Sequence, residues 1–178
     1  MGEAIIASSL KHFFVHVSES DPKRQEYLRL HYKLISYDLT KLTQISDLII
    51  LAVKPQDIDG VLKELSKIIR KEMPVISIAA GITTGFIENI LGKDIRVVRT
   101  MPNMPALVNQ GMTAVCAGQW AKKEDVVLAL LDAGADPTLG NWSKDFLDTV
   151  HRILPQILPQ AEKAVVNYSS KKGSRHEK

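Results

Sequence analysis

Two prolines three residues apart bracket an amide side chain in the stretch Arg99-Thr100-Met101-Pro102-Asn103-Met104-Pro105-Ala106-Leu107-Val108. Each proline lacks a backbone donor and fixes φ, so the spacing excludes a regular helix or a central strand. The segment reads as a rigid loop at a strand end. Asn103, held inside it, has an amide that can both donate to and accept from a ligand; the competing reading is a structural turn. Two other stretches have a similar character. Ala52-Val53-Lys54-Pro55-Gln56 follows a long apolar run and opens a helical pattern. Pro55 falls in the first helical turn, where its missing N–H would have gone unpaired anyway. This is either a ligand-facing junction or an ordinary strand–helix joint with a surface lysine. Ser77-Ile78-Ala79-Ala80-Gly81-Ile82-Thr83 sets small residues at a strand's carboxyl end, which lets a ligand approach the backbone. Tight packing in a turn explains its glycine equally well.

Such stretches need a scaffold that brings them together. Residues 47–53 are apolar without alternation, as in a strand buried on both faces. Beyond Pro55, the residues Ile58, Val61, Leu62, Leu65, Ile68 and Ile69 share one helical face, and Pro74 ends the pattern. Residues 75–79 form the next strand, and Thr83 or Thr84 caps a helix that stops at Gly92. Further strands are expected at 95–99 and 112–116, with a helix over 121–133. Upstream, a helix over 3–12 turns Ala4, Ile5 and Leu10 to a core, and short β-type runs occupy 13–17 and 33–37. Between those runs, Ser20-Asp21-Pro22 signals a helix start, and a short helix follows over 38–45. Strands alternating with helices of this size predict an α/β, Rossmann-type doubly wound, mostly parallel sheet. Sheets of that kind bind ligands at the carboxyl ends of their strands, where all three stretches fall.

The last third departs from this rhythm. Residues 130–137 resemble the helix-to-loop part of an ankyrin repeat, but one repeat cannot bury its own faces, and a helix ended by Gly134 is the favoured reading. An apolar stripe through Phe146, Leu147, Val150, Ile153, Leu154, Ile157 and Leu158 is interrupted by Pro155 and Pro159.

The bulk numbers narrow the function classes. The chain has 178 residues, 45% hydrophobic and 24% charged, enough for a packed core in about one domain. The net charge of +3 owes much to the basic tail at 169–178, which reads as a solvated, disordered end. No aromatic residues interleave with its charges, so nucleic-acid binding is not expected. A single cysteine, Cys116, excludes an internal disulfide and suits a reducing cytoplasm. Its apolar surroundings predict a buried structural thiol. No apolar run approaches the ~18 residues that span a bilayer, and an acidic start without a basic region is unlike a signal peptide. No metal site is expected.

The three stretches together, in this order and spacing, resemble pyrroline-5-carboxylate reductases. Met1-Gly2-Glu3-Ala4-Ile5-Ile6 matches the end of the same family's glycine-rich turn, with Gly2 as the last glycine of a G-x-G-x-x-G pattern. The resemblance runs from residue 1 to about Asp125. It implies a domain binding NADP (as NADPH), with NAD as the alternative, and hydride transfer to 1-pyrroline-5-carboxylate to give L-proline. By carry-over, Ala52, Val53, Lys54 and Pro55 line the cofactor, Ala80 and Gly81 lie beside it, and Asn103 and Pro105 sit near the nicotinamide. In the loop over 18–24, Ser20, Lys23 and Arg24 would hold a ribose 2′-phosphate, whereas Glu19 would instead hold a free 2′-hydroxyl. A capped helix start explains that loop without any ligand. No catalytic side chain is assigned.

Two departures from the family set further expectations. The opening strand and the first two glycines of the turn do not precede Met1, so the runs at 13–17 and 47–53 lack a common neighbour. Cofactor binding weaker than micromolar and marginal stability are expected. The family also continues into a helical domain that binds the substrate carboxylate through a Gly-Ser-Gly-Pro-type loop and makes the homo-oligomer; neither is evident after Asp125. The expected organisation is an incomplete NAD(P)-binding domain over 1–125, a helical segment over 126–168 and the tail over 169–178. Little reductase activity is expected of this chain alone, and a non-catalytic nucleotide-binding or interaction module is the alternative.

Overall fold

Strand-forming and helix-forming stretches alternate through the computed structural model, which describes residues 2–10, 13–102 and 113–132. The elements are α1 (Gly2–Ser9), α2 (Pro22–Tyr32), α3 (Leu39–Ile45), β1 (Ile49–Leu51), α4 (Ile58–Leu65), β2 (Val75–Ser77), α5 (Thr84–Leu91), β3 (Val97–Pro102), β4 (Thr113–Ala117) and α6 (Lys123–Asp132). They belong to one unit spanning Met1–Gly134. Of the expected helical segment over 126–168, residues 126–132 fall in α6; the rest of it and the expected tail over 169–178 lie outside the described residues.

The sheet runs β1-β2-β3-β4. β1, β2 and β3 are parallel, in register through Leu51↔Ser77↔Arg99, and β4 returns antiparallel to β3. Helices cover both faces, as a doubly wound sheet requires. On one face, Ile58, Leu62 and Leu65 of α4 and Ile87 and Leu91 of α5 pack with Leu51, Val75 and Val97. On the other, Ile76 and Val98 meet Ala129 of α6. Leu62, Leu65, Val75, Ile87 and Val97 are wholly buried. Each such side chain contributes about 1.5–3 kcal/mol through burial.

Helix ends follow local chemistry. Asp21 accepts the Lys23 N–H, Asp38 the Lys41 N–H and Thr83 the Phe86 N–H, each satisfying a donor that helix geometry leaves orphaned. Gly92 closes α5 with φ of 104°, a conformation side chains resist.

Several expectations need correction. The run at 13–17 and that at 33–37 make only one parallel bridge, Val17↔Ser36, separate from the four-stranded sheet. β1 is shorter than the apolar run that announces it, because pairing with β2 ends at Leu51. Pro102 is the last residue of β3, opposite Thr113, rather than part of a loop. It tolerates that place because β2 pairs with β3 only as far as Arg99, so no N–H is required on that side. Leu10 is more exposed than a core position, since α1 ends at Ser9. Cys116 is exposed, because β4 is the edge strand of the sheet and only part of it is covered.

Candidate functional site

The parallel register of β1, β2 and β3 fixes where the following loops emerge. Residues 52–57 leave β1 and residues 78–83 leave β2 at the same edge of the sheet, and β3 runs out toward residue 103 on that edge too. Ala52, Lys54 and Pro55 are exposed there, and Val53 is half-buried. The Asp57 N–H donates to the Lys54 carbonyl at 3.0 Å, turning the chain into α4. Ala80 and Gly81 are also exposed, and Gly81 has φ of 74°, the left-handed conformation for which glycine is suited. Ser77, fully buried at the base of that loop, accepts the Ala79 N–H at 3.3 Å and so has a structural role. Asn103 and Pro105 lie outside the described residues.

α1 opens against this rim. A β-carbon placed on Gly2 would lie 3.2 Å from that of Ala52, so the helix start and the end of β1 approach as closely as side chains allow. A helix N-terminus at the carboxyl end of a parallel strand directs unpaired backbone N–H groups and a partial positive charge toward anions. The start of α1 therefore lies against Ala52 at the end of β1.

The loop over 18–24 is held by a separate set of bonds. The Glu19 N–H donates to the Ser36 hydroxyl at 2.9 Å, and that hydroxyl donates to the Glu19 carbonyl at 3.3 Å. The Gln25 amide donates to the same carbonyl. The Glu19 carboxylate accepts the Asp21 N–H at 3.0 Å. Ser20 and Lys23 are exposed. Arg24 is engaged: its Nη2 donates to Glu3 Oε2 at 2.6 Å, and its guanidinium lies 4.7 Å from the centre of the Tyr27 ring. Arg24 thereby touches α1 one residue away from Gly2.

Glu3 was not among the residues that the sequence singled out. Its Oε1 accepts the Tyr27 hydroxyl at 2.7 Å and the Tyr32 hydroxyl at 3.0 Å. The Tyr27 hydrogen bond, reinforced by Arg24, holds the Glu3 carboxyl down at about 2. The same pairing raises the pKa of Arg24. A helical spacing of Arg24, Tyr27 and Tyr32 was the available signal, but nothing local pointed from them to Glu3.

The opposite edge of the sheet holds a second polar group of a different kind. A shallow cleft there is lined by Lys71, Glu72, Asp94, Arg96, Trp120 and Lys122. Arg96 Nη1 donates to Asp125 at 2.9 Å, and the Lys122 N–H donates to the other carboxylate oxygen at 2.8 Å. Asp125 is 1% exposed, and burial pushes its carboxyl up against the pull of these donors. Residues preceding β2 and β3 and residues following the antiparallel β4 build this cluster, so it lies away from the loops described above and fastens α6 to the sheet. No grouping of side chains suited to a metal ion occurs among the described residues. No helix among them is long and apolar enough to cross a membrane.

A mostly parallel, doubly wound sheet whose loops and helix N-terminus meet at one carboxyl rim defines a Rossmann-like NAD(P)-binding fold. Residues 1–81 match the family described as NADP oxidoreductase, coenzyme F420-dependent. The chain is 35% identical over 156 residues to the pyrroline-5-carboxylate reductase of Methanosarcina acetivorans, covering 84% of this chain and 58% of that enzyme. A pyrroline-5-carboxylate reductase structure from Coxiella burnetii superposes with a TM-score of 0.69 at 29% identity, covering 75% of this chain and 52% of the other. That of Plasmodium falciparum with NADP bound superposes at 0.62 with 20% identity, covering 96% and 63%, a likeness of fold. The chain is thus similar to pyrroline-5-carboxylate reductases, and it spans about half the length of those relatives.

Proposed function

We propose that this chain binds NADPH at the carboxyl rim and supports reduction of 1-pyrroline-5-carboxylate to L-proline. The contact between Gly2 and Ala52 carries the reading, because it sets an anion-attracting helix start beside the 52–55 and 80–81 loops. The residues present fit the cofactor: a β-carbon at Gly2 would lie only 3.2 Å from that of Ala52, so the close approach suits glycine, and the exposed rim is built largely from small or backbone-presenting residues. The N–H groups opening α1 would receive the pyrophosphate. Ala52, Val53, Lys54 and Pro55 would flank it, with Ala80 and Gly81 alongside, and Asn103 and Pro105 toward the nicotinamide end. Ser20, Lys23 and Arg24 would hold the ribose 2′-phosphate, which favours NADPH over NADH.

When bound, the reduced nicotinamide supplies a hydride to the imine carbon, and a proton on nitrogen completes the amine. The chain's part is to orient the ring and exclude competing geometries. The lone cysteine, which needs no oxidising compartment, supports a cytoplasmic setting. A second reading of the same fold is a nucleotide-binding module without turnover. Titration with NADPH alongside a proline-forming NADPH-consumption assay separates the two. Binding with imine-dependent NADPH loss supports the reductase. Binding without it supports the module, and absence of binding refutes both.

A further inference from the structure

A carboxylate in the first turn of α1 is an awkward neighbour for an anion expected at that helix start. Glu3 avoids the conflict by turning its charge to α2. One oxygen is taken by Arg24 and the other by the hydroxyls of Tyr27 and Tyr32. All three donors come from α2, the helix whose first turn closes the segment over 18–24. One side chain thus ties the helix start at the rim to the loop where a ribose would be read.

The arrangement also settles how Arg24 is presented. A guanidinium has five N–H donors, and the contact with Glu3 engages one nitrogen. Tyr27 supports one flat side of the group. The Arg24 side chain keeps 37% of its surface in solvent, so a ligand can reach it. A free arginine gives up rotamer entropy when it is immobilised; here part of that loss is taken before any ligand arrives. The Glu3–Arg24 pair is neutral as a unit, so selectivity for a phosphate must come from directed donors and from Lys23 nearby.

We propose that Glu3 is a positioning residue for cofactor choice, holding Arg24 against Tyr27 so that its free donors meet the 2′-phosphate of NADPH. This rests on the dinucleotide reading above. Glu3 acts only through Arg24, so removing its charge should lower affinity for NADPH while sparing NADH. A merely structural role would weaken both nucleotides together.

The test is the ratio of NADH to NADPH dissociation constants, read from nucleotide fluorescence for the full chain. Wild type is expected to prefer NADPH. Glu3→Gln should reduce the preference by about tenfold, a loss of about 1.4 kcal/mol confined to one nucleotide. Tyr27→Phe, which keeps the ring and loses one bond to Glu3, should reduce it by about threefold and serves if Glu3→Gln does not fold. Adding Glu3→Gln to Arg24→Ala should change the ratio no further. A wild-type preference for NADH, or an unchanged ratio in both Glu3→Gln and Tyr27→Phe, overturns the proposal while leaving dinucleotide binding intact. If wild type binds neither nucleotide, the dinucleotide reading falls and takes this proposal with it.

Discussion

The β-sheet half and the N-terminal half of this molecule are held together by different physics. Around β1, β2 and β3, apolar side chains from α4 and α5 are buried almost completely, and the strands share a regular parallel register. Residues 13–37 have a small core of Val17, Leu28 and Leu34 and a single β-bridge. Their attachment to α1 combines Ile6, packed on that small core, with one carboxylate that has three donors. Apolar burial is insensitive to pH, whereas a carboxylate latch is not. The sheet half should therefore behave as the stable platform and the N-terminal half as the adjustable part, and that adjustable part carries the residues proposed to read the ribose.

The largest expected effect is in the platform. Leu62→Ala removes a wholly buried side chain from the α4 face and should cost about 3 kcal/mol in urea unfolding. A loss below about 1 kcal/mol would mean that this core is not the platform. Next comes the polar fastening at the far edge. Arg96→Ala leaves the buried Asp125 carboxylate with only the Lys122 N–H among these donors, and about 2 kcal/mol should be lost at neutral pH. Because burial already raises that carboxyl, the loss should shrink in acid as Asp125 takes up a proton.

Glu3→Gln should cost less, about 1 kcal/mol after allowing for solvent around a side chain that is 32% exposed. Its sign with pH is the sharper test. The folded carboxyl sits at about 2 against an ordinary 4.5, so the stability it contributes is complete above about pH 4.5 and is lost as pH falls toward 2. Wild type should show that acid limb in chemical unfolding, and Glu3→Gln should flatten it. An identical limb in both would break the contrast between the halves. Smallest is the exposed Lys63–Asp59 pair on α4, where Lys63→Ala should change stability by about 0.3 kcal/mol.

How far each half was legible in the sequence follows the same division. Ile58, Leu62 and Leu65 repeat at helical spacing, and the residues over 75–77 are continuously apolar, so the platform is readable from local pattern. The caps at Asp21, Asp38 and Thr83 are equally local, because a side chain satisfies a donor two or three residues away. Strand limits were not legible. The apolar run over 47–53 exceeds β1 because the partner strand, not hydrophobicity, decides where pairing stops. Exposure of Cys116 depends on β4 lying at the sheet edge, which the run over 112–116 does not encode by itself. The loops at 52–55 and 80–81 were found from proline and glycine punctuation, and the parallel register brings them to one rim. Glu3 was missed because its partners lie 21, 24 and 29 residues away, and no spacing rule links a carboxylate in one helix to phenols in another.

Titration of the chain with NADPH, followed by the nucleotide's own fluorescence, tests the central claim most directly: that the start of α1 and the loops after β1 and β2 form one dinucleotide-binding rim. Saturable binding is expected with a dissociation constant on the order of 0.1 mM, weakened at least tenfold by Gly2→Val, which would force a side chain against Ala52. No saturation up to several millimolar, or binding untouched by that substitution, would contradict it.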